Sequence, residues 1–97
     1  MALAVPVTFA IPGPLRAFTN GQDEVRVDVP ALTLRDALDI LGTFYPGLRD
    51  RLLTEQGDLR QHLNIFVGND DIRYTGGLAT PIAAGVRITI LPAISGG

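Results

Sequence analysis

The chain has 97 residues, of which 46% are hydrophobic and 19% charged, and this is typical of one folded domain and not of a disordered chain. A net charge of −2 gives no basic footprint for nucleic acid, and no apolar run is long enough to cross a membrane. The chain contains no cysteine and no lysine, which excludes disulfides, thiolate catalysis and Schiff-base chemistry and fits a cytoplasmic protein.

Two strands are predicted in the first third of the chain. Residues 5–11 alternate between large apolar residues and smaller or polar ones, and residues 25–29 repeat this pattern. Pro12-Gly13-Pro14 ends the first strand, and Asn20-Gly21 marks a turn within the loop that follows. We expect the two strands to pair in antiparallel fashion across this long loop.

An amphipathic helix is predicted after Pro30, where the apolar residues take up a helical spacing at Leu34, Ala37, Leu38 and Leu41. Thr33 precedes this stripe and Asp36 follows three residues later, so the pair predicts an N-cap with a capping box. Pro46-Gly47 predicts the end of the helix. One further short helical turn is indicated by Leu48, Leu52 and Leu53.

The last third of the chain predicts three more strands. Residues 63–67 alternate, residues 68–71 form a turn, and residues 72–74 a short strand. The last strand covers residues 86–91, and we expect the chain to leave the sheet at Pro92. This order of elements favours an α+β fold in which one mixed sheet packs against one main helix.

Most enzyme classes lack the residues that they need. His62 is the single histidine, so a site with two histidine ligands to one metal is impossible within the chain. Ser95 is the single serine, and its neighbours do not form a nucleophile elbow. Asp70 and Asp71 are adjacent, as turn residues often are, and do not by themselves predict a cation site. We therefore predict no catalytic residues of the usual kinds and no metal site.

The C-terminus has a distinctive pattern. Gly96 and Gly97 carry no side-chain bulk, so a narrow channel in another protein would admit them with the carboxylate leading. Residues 92–97 reach about 20 Å when extended. We therefore divide the chain into a folded domain at residues 1–91 and a flexible tail at residues 92–97. The alternative is a frayed terminus or a remnant of an expression vector.

Phe66 and Leu91 are apolar residues at strand positions where the alternation predicts exposed polar ones. If their strands are neighbours, the two side chains form an apolar patch near the start of the tail, and such patches often mark protein contacts. The alternative is that they are isolated surface hydrophobes, which are common.

The second half of the chain resembles the ubiquitin-like sulfur carriers of the MoaD/ThiS superfamily. The matching segments are NIFVGNDDIR from Asn64, GGLATPIAAG from Gly76 and the ending ILPAISGG. Similarity extends over essentially the whole chain and is nearest to the CysO-like, cysteine-biosynthesis branch and the MoaD-related proteins beside it. The resemblance implies a β-grasp, ubiquitin-like fold.

The resemblance also implies a carrier mechanism. A MoeB-type enzyme would use ATP and Mg²⁺ to adenylate the Gly97 carboxylate, which sulfur donation would convert into a thiocarboxylate. The carrier itself would bind no cofactor and would act as a co-substrate. A second enzyme, similar to cysteine synthase or to the large subunit of molybdopterin synthase, would hold the acceptor. In this interpretation Gly97 carries the sulfur, and the partner contacts are Gly96, Leu91, Pro92, Ile94 and Phe66.

Several functions remain open at this stage. Residues 46–61 make the chain longer than typical ThiS proteins, so thiazole synthesis is disfavoured and cysteine biosynthesis is the leading expectation. The first alternative is the small subunit of molybdopterin synthase. The others are a ubiquitin-like modifier, joined through Gly97 to lysines of other proteins, and a non-covalent binding module in which the tail has no role.

Overall fold

A computed structural model describes residues 5–29 and 33–92, and its regular elements follow the predicted order closely. The strands and α-helices are β1 Val5–Ala10, β2 Glu24–Val29, α1 Leu34–Phe44, α2 Pro46–Leu52, β3 Leu63–Val67, β4 Asp70–Asp71 and β5 Arg87–Pro92. Short 3-10 helices cover Gly13–Thr19, Ile72–Tyr74 and Gly77–Ala79.

The five strands form one mixed sheet in the order β2-β1-β5-β3-β4. The first two strands pair in antiparallel fashion, as predicted, with Val7 opposite Val27. At the centre, β1 and β5 run parallel, with Phe9 beside Ile88, although they come from opposite ends of the sequence. β3 then pairs with β5 in antiparallel fashion. The α+β prediction is confirmed, and the parallel central pair places the last strand in the middle of the sheet.

The start of α1 is set by the predicted capping box. The Asp36 backbone N–H donates to Thr33 Oγ1 at 3.3 Å, and the Thr33 backbone N–H donates to Asp36 Oδ2 at 3.1 Å. These reciprocal bonds satisfy two N–H groups that a helix start leaves without intrahelical partners. The carboxylate also lies in the first turn, at the positive end of the helix dipole, where a negative charge interacts favourably with the helix.

One face of the sheet and the apolar stripe of α1 enclose the core. Ile65, Ile88 and Ile90 come from the central strands, and Leu34, Leu38 and Leu41 from the helix; all are at most 2% exposed. The inward residues of β1 and β2 and the leucines of α2 extend the same cluster. The opposite face of the sheet carries the alternate side chains of each strand, which are partly or fully exposed. We call it the open face.

The structure differs from the sequence prediction in five places, one of which is that Asp70–Asp71, predicted as part of a turn, form the short strand β4. Residues 13–19 form a 3-10 helix instead of an irregular loop, and α2 is a full seven-residue helix that begins at Pro46. The prediction of a strand at residues 72–74 is wrong, because the Asp71 side chain accepts the Arg73 N–H and holds this segment in a turn. β5 includes Pro92, so the chain stays in the sheet one residue longer than expected.

Candidate functional site

The predicted Phe66–Leu91 pair lies on two neighbouring strands of the open face. In the β3–β5 ladder, Phe66 is opposite Thr89 and Asn64 is opposite Leu91. Phe66 and Leu91 are therefore diagonal neighbours, about 7–8 Å apart between backbones, which long and aromatic side chains can bridge. We call these four residues the open-face patch.

The two apolar members of the patch differ in exposure. Leu91 is 42% exposed, one of the large apolar side chains that the described residues leave open to solvent. Phe66 is less exposed than the sequence suggested, because its strand neighbours, Thr89 and Asp71, stand on either side of it. The patch therefore presents Leu91 most prominently, beside a partly covered aromatic ring.

Asp71 forms the polar border of the patch. Its Oδ2 accepts hydrogen bonds from Asn64 Nδ2 at 3.0 Å and from Arg73 Nη2 at 2.9 Å. The hydrogen bonds from Arg73 hold the pKa of the Asp71 carboxyl well below its usual range, and they raise the pKa of the Arg73 guanidinium. The contacts fix the Asn64 amide directly across the ladder from Leu91.

The end of β5 lies beside a cavity in a second region of the surface. Pro92 is opposite Leu63, so the last described residue lies next to His62, which is exposed just before β3. A cavity of about 390 Å³ opens here, and its walls are Pro14, Leu15, Phe18, Arg51, His62, Leu63 and Pro92. The predicted contact residue Pro92 therefore lies in this wall, whereas Ile94, Gly96 and Gly97 lie outside the described residues.

A further cavity of about 440 Å³ adjoins the first and shares Phe18, Arg51 and His62 with it. The Arg51 guanidinium carbon lies 4.9 Å from the centre of the Phe18 ring, a cation–π contact. On the far side, Arg60 Nε donates to the Asp50 backbone oxygen at 2.9 Å. We call this the Arg51–Arg60 cavity.

The sequence analysis did not identify the residues of the Arg51–Arg60 cavity. They come from three separate segments, namely the first 3-10 helix, α2 and the loop before β3. No periodic pattern links such segments. The position of His62 was one usable signal, because this residue directly precedes β3. If β3 pairs in antiparallel fashion with the last strand, the start of β3 lies beside the end of that strand, where the tail begins.

Within residues 5–29 and 33–92, no group of three or more His, Asp or Glu side chains is placed to hold a metal ion. None of the helices in these ranges is both long and apolar enough to cross a membrane.

Comparison with known proteins establishes the family. The ThiS family matches residues 9–97, and the chain belongs to this family of ubiquitin-like sulfur carriers. The sulfur carrier protein CysO of Mycobacterium tuberculosis is 42% identical over 93 residues, which cover 94% of this chain and 98% of CysO. This relationship supports a sulfur-carrier role, in which the protein is a co-substrate.

Solved structures confirm the β-grasp fold. The crystal structure of the Amycolatopsis orientalis BexX/CysO complex contains a chain that is 34% identical, with a TM-score of 0.82, and the match covers 94% of this chain and 99% of that one. The small archaeal modifier protein 1 of Haloferax volcanii is 35% identical over 78 residues, which cover 79% of this chain and 85% of that protein.

Proposed function

We propose that the protein carries sulfur on its C-terminal Gly97 for cysteine biosynthesis. The observation that supports this most strongly is the 42% identity to CysO over nearly the full length of both chains. The sequence ends in Gly96-Gly97, and β5 leads to this ending from the centre of the sheet. The folded domain would hold the tail and offer the open-face patch to partner enzymes.

Activation of the tail requires chemistry that the domain does not supply. An ionised carboxylate is a poor electrophile until one of its oxygens becomes part of a leaving group. A MoeB-type enzyme would use ATP and Mg²⁺, so that a Gly97 carboxylate oxygen attacks the α-phosphorus and pyrophosphate departs. Hydrosulfide would then attack the acyl carbon, displace AMP and leave a thiocarboxylate. The carrier contributes a slender reactive end and a recognition surface.

Partner enzymes would bind the carrier in turn. The relative in the Amycolatopsis orientalis complex is bound to BexX, which supports protein partnership for a carrier of this kind. For this chain we propose an activating enzyme and an acceptor enzyme related to cysteine synthase. Leu91 and Phe66 would contact these enzymes from the open face, and Pro92, Ile94 and Gly96 would contact them along the tail.

Intact-mass measurement tests the carrier role. Protein from its native host should contain a fraction in which sulfur replaces one oxygen, and incubation with the activating enzyme and ATP should increase that fraction. Deletion of Gly97 should abolish the modification, whereas Asp28→Asn, on an exposed position of β2, should leave it unchanged. Absence of the thiolated form under both conditions would contradict the proposal.

Gene deletion separates the pathways. Loss of the gene should cause a requirement for cysteine if the carrier supplies cysteine biosynthesis. A loss of molybdoenzyme activity with normal growth without cysteine would indicate the small subunit of molybdopterin synthase instead.

The similarity to small archaeal modifier protein 1 favours a second candidate function, covalent attachment through Gly97 to other proteins. Denaturing immunoblots of the native host test it. Conjugates of higher mass that disappear with the Gly97 deletion would support the modifier role, and their absence alongside a thiolated carrier would exclude it.

A further inference from the structure

We infer that Arg51 and Arg60 form a cationic docking site for carboxylate side chains of the activating enzyme, which takes up the tail. This inference rests on the proposed function. Its first support is position. The cavity that contains Pro92 shares three wall residues with the Arg51–Arg60 cavity; Arg51 lines both, and Arg60 lines the adjoining one. An enzyme that encloses the tail would contact Pro92, and the Arg51–Arg60 cavity adjoins that contact.

The second support is the uncompensated charge. In the described part of the chain, the ion pairs engage other arginines, namely Arg49, Arg73 and Arg87. Neither Arg51 nor Arg60 has a carboxylate oxygen within 4.0 Å there. Asp50 is the single acidic residue in the cavity walls, which also contain two arginines. The cavity is thus locally positive on a chain whose net charge is −2.

The third support is that both guanidinium groups are held in place while retaining free donors. The Arg51 guanidinium carbon lies 4.9 Å from the centre of the Phe18 ring, and Arg60 Nε donates to the Asp50 backbone oxygen at 2.9 Å. The terminal nitrogens of each group carry further N–H donors, in the planar arrangement that matches a carboxylate. Because these side chains are already ordered, binding an acidic partner costs less conformational entropy.

ATP–pyrophosphate exchange by the MoeB-type enzyme of the same organism tests the docking site, with the full-length carrier as the varied substrate. The Arg51→Glu/Arg60→Glu variant should raise the KM for the carrier by roughly tenfold or more at low salt, because like charges then face each other. The kcat should stay within about twofold, since the tail is unchanged. The rise in KM should shrink as ionic strength increases.

Two further variants separate charge from folding. Arg51→Lys/Arg60→Lys keeps the charge but loses the planar guanidinium donors, so its KM should rise much less than that of the glutamate variant. Arg26→Glu/Arg35→Glu makes the same change in net charge at exposed positions outside both cavities, and it should leave KM nearly unchanged.

If the wild-type carrier supports exchange, any one of three results would overturn the docking site. They are an unchanged KM for the glutamate variant, an equal loss in the lysine variant, and a lowered KM for the glutamate variant. The last would indicate that the cavity binds the carrier's own Gly97 carboxylate. If the wild-type carrier supports no exchange at all, it is the proposed function that fails, and the docking site fails with it.

Discussion

Asn64 Nδ2 donates a hydrogen bond to Asp71 Oδ2 at 3.0 Å and joins β3 to the very short strand β4. The same carboxylate accepts the Arg73 backbone N–H and the Arg73 guanidinium, each at 2.9 Å. β4 has only two residues, and these side-chain bonds add to its short backbone pairing with β3. Asn64 also lies opposite Leu91, and the network therefore borders the surface that we assign to partner binding.

The Asp71 network predicts a specific dependence of stability on pH. Hydrogen bonds from Arg73 and Asn64 lower the pKa of the folded-state carboxyl below its ordinary value of 3.8. The stabilisation is therefore fully present above about pH 4 and is lost as pH falls below it towards the folded-state pKa. Urea unfolding between pH 7 and pH 2 should show a shallower acid slope for Asp71→Asn than for the wild type.

Asp70→Asn is the matched control for this measurement. Asp70 is the exposed neighbour of Asp71, and its carboxylate takes part in none of the hydrogen bonds found among the described residues. We expect its acid slope to resemble that of the wild type. Identical slopes for the Asp71→Asn variant and the wild type would show that the network contributes nothing to acid stability.

Leu91→Asp should weaken partner binding without unfolding the domain. The Leu91 side chain is 42% exposed on the open face, so a charge there is solvated in the free protein but meets an apolar partner surface in the complex. We expect the Kd for the activating enzyme, measured by titration calorimetry, to rise by roughly tenfold or more.

Phe44→Asp provides the comparison. Phe44 is 64% exposed at the end of α1 and belongs neither to the open-face patch nor to the walls around Pro92. Its substitution should leave the Kd unchanged. Equal effects of the two substitutions would mean that general surface hydrophobicity, and not the open-face patch, governs binding.

Ile88→Ala should be strongly destabilising. Ile88 is 0% exposed, in the central strand β5 and beside Phe9 of β1. Removal of its side chain leaves a cavity between the sheet and α1, and the expected loss in the free energy of unfolding is about 2–5 kcal/mol. Chemical denaturation measures this loss. Ile88→Val should cost only about 0.5–1.5 kcal/mol, and a similar small loss for both variants would contradict the assigned burial.

Thr33→Ala should destabilise α1 through its N-terminus. The substitution removes the hydroxyl oxygen that accepts the Asp36 N–H, and the usual cost of losing such a cap is about 0.5–2 kcal/mol. Thermal unfolding followed by circular dichroism measures the change. Thr33→Ser retains the hydroxyl and should stay near the wild type. If the alanine variant were equally stable, the capping box would not contribute to the fold.

Local patterns were sufficient for most of the secondary structure. The alternation in residues 5–11 and 63–67 and the stripe from Leu34 to Leu41 each depend on one element having one buried face. The capping box could be identified in the same way, because its two residues are three positions apart. The prediction of a strand at residues 72–74 was wrong, because the hydrogen bond that the Arg73 backbone N–H donates to the Asp71 side chain outweighed the weak strand preference of three residues.

The amino-acid sequence alone determined the class of fold, the apolar outward positions of Phe66 and Leu91, and the Gly-Gly ending of the chain. Tertiary structure decided that β3 lies beside β5, which makes Phe66 and Leu91 diagonal neighbours and brings Pro92 next to His62. It also brought Arg51 and Arg60 to the same place. The physical reason is that side-chain periodicity reports which face of an element is buried, whereas strand neighbours and cavity walls depend on how distant segments pack around the shared core.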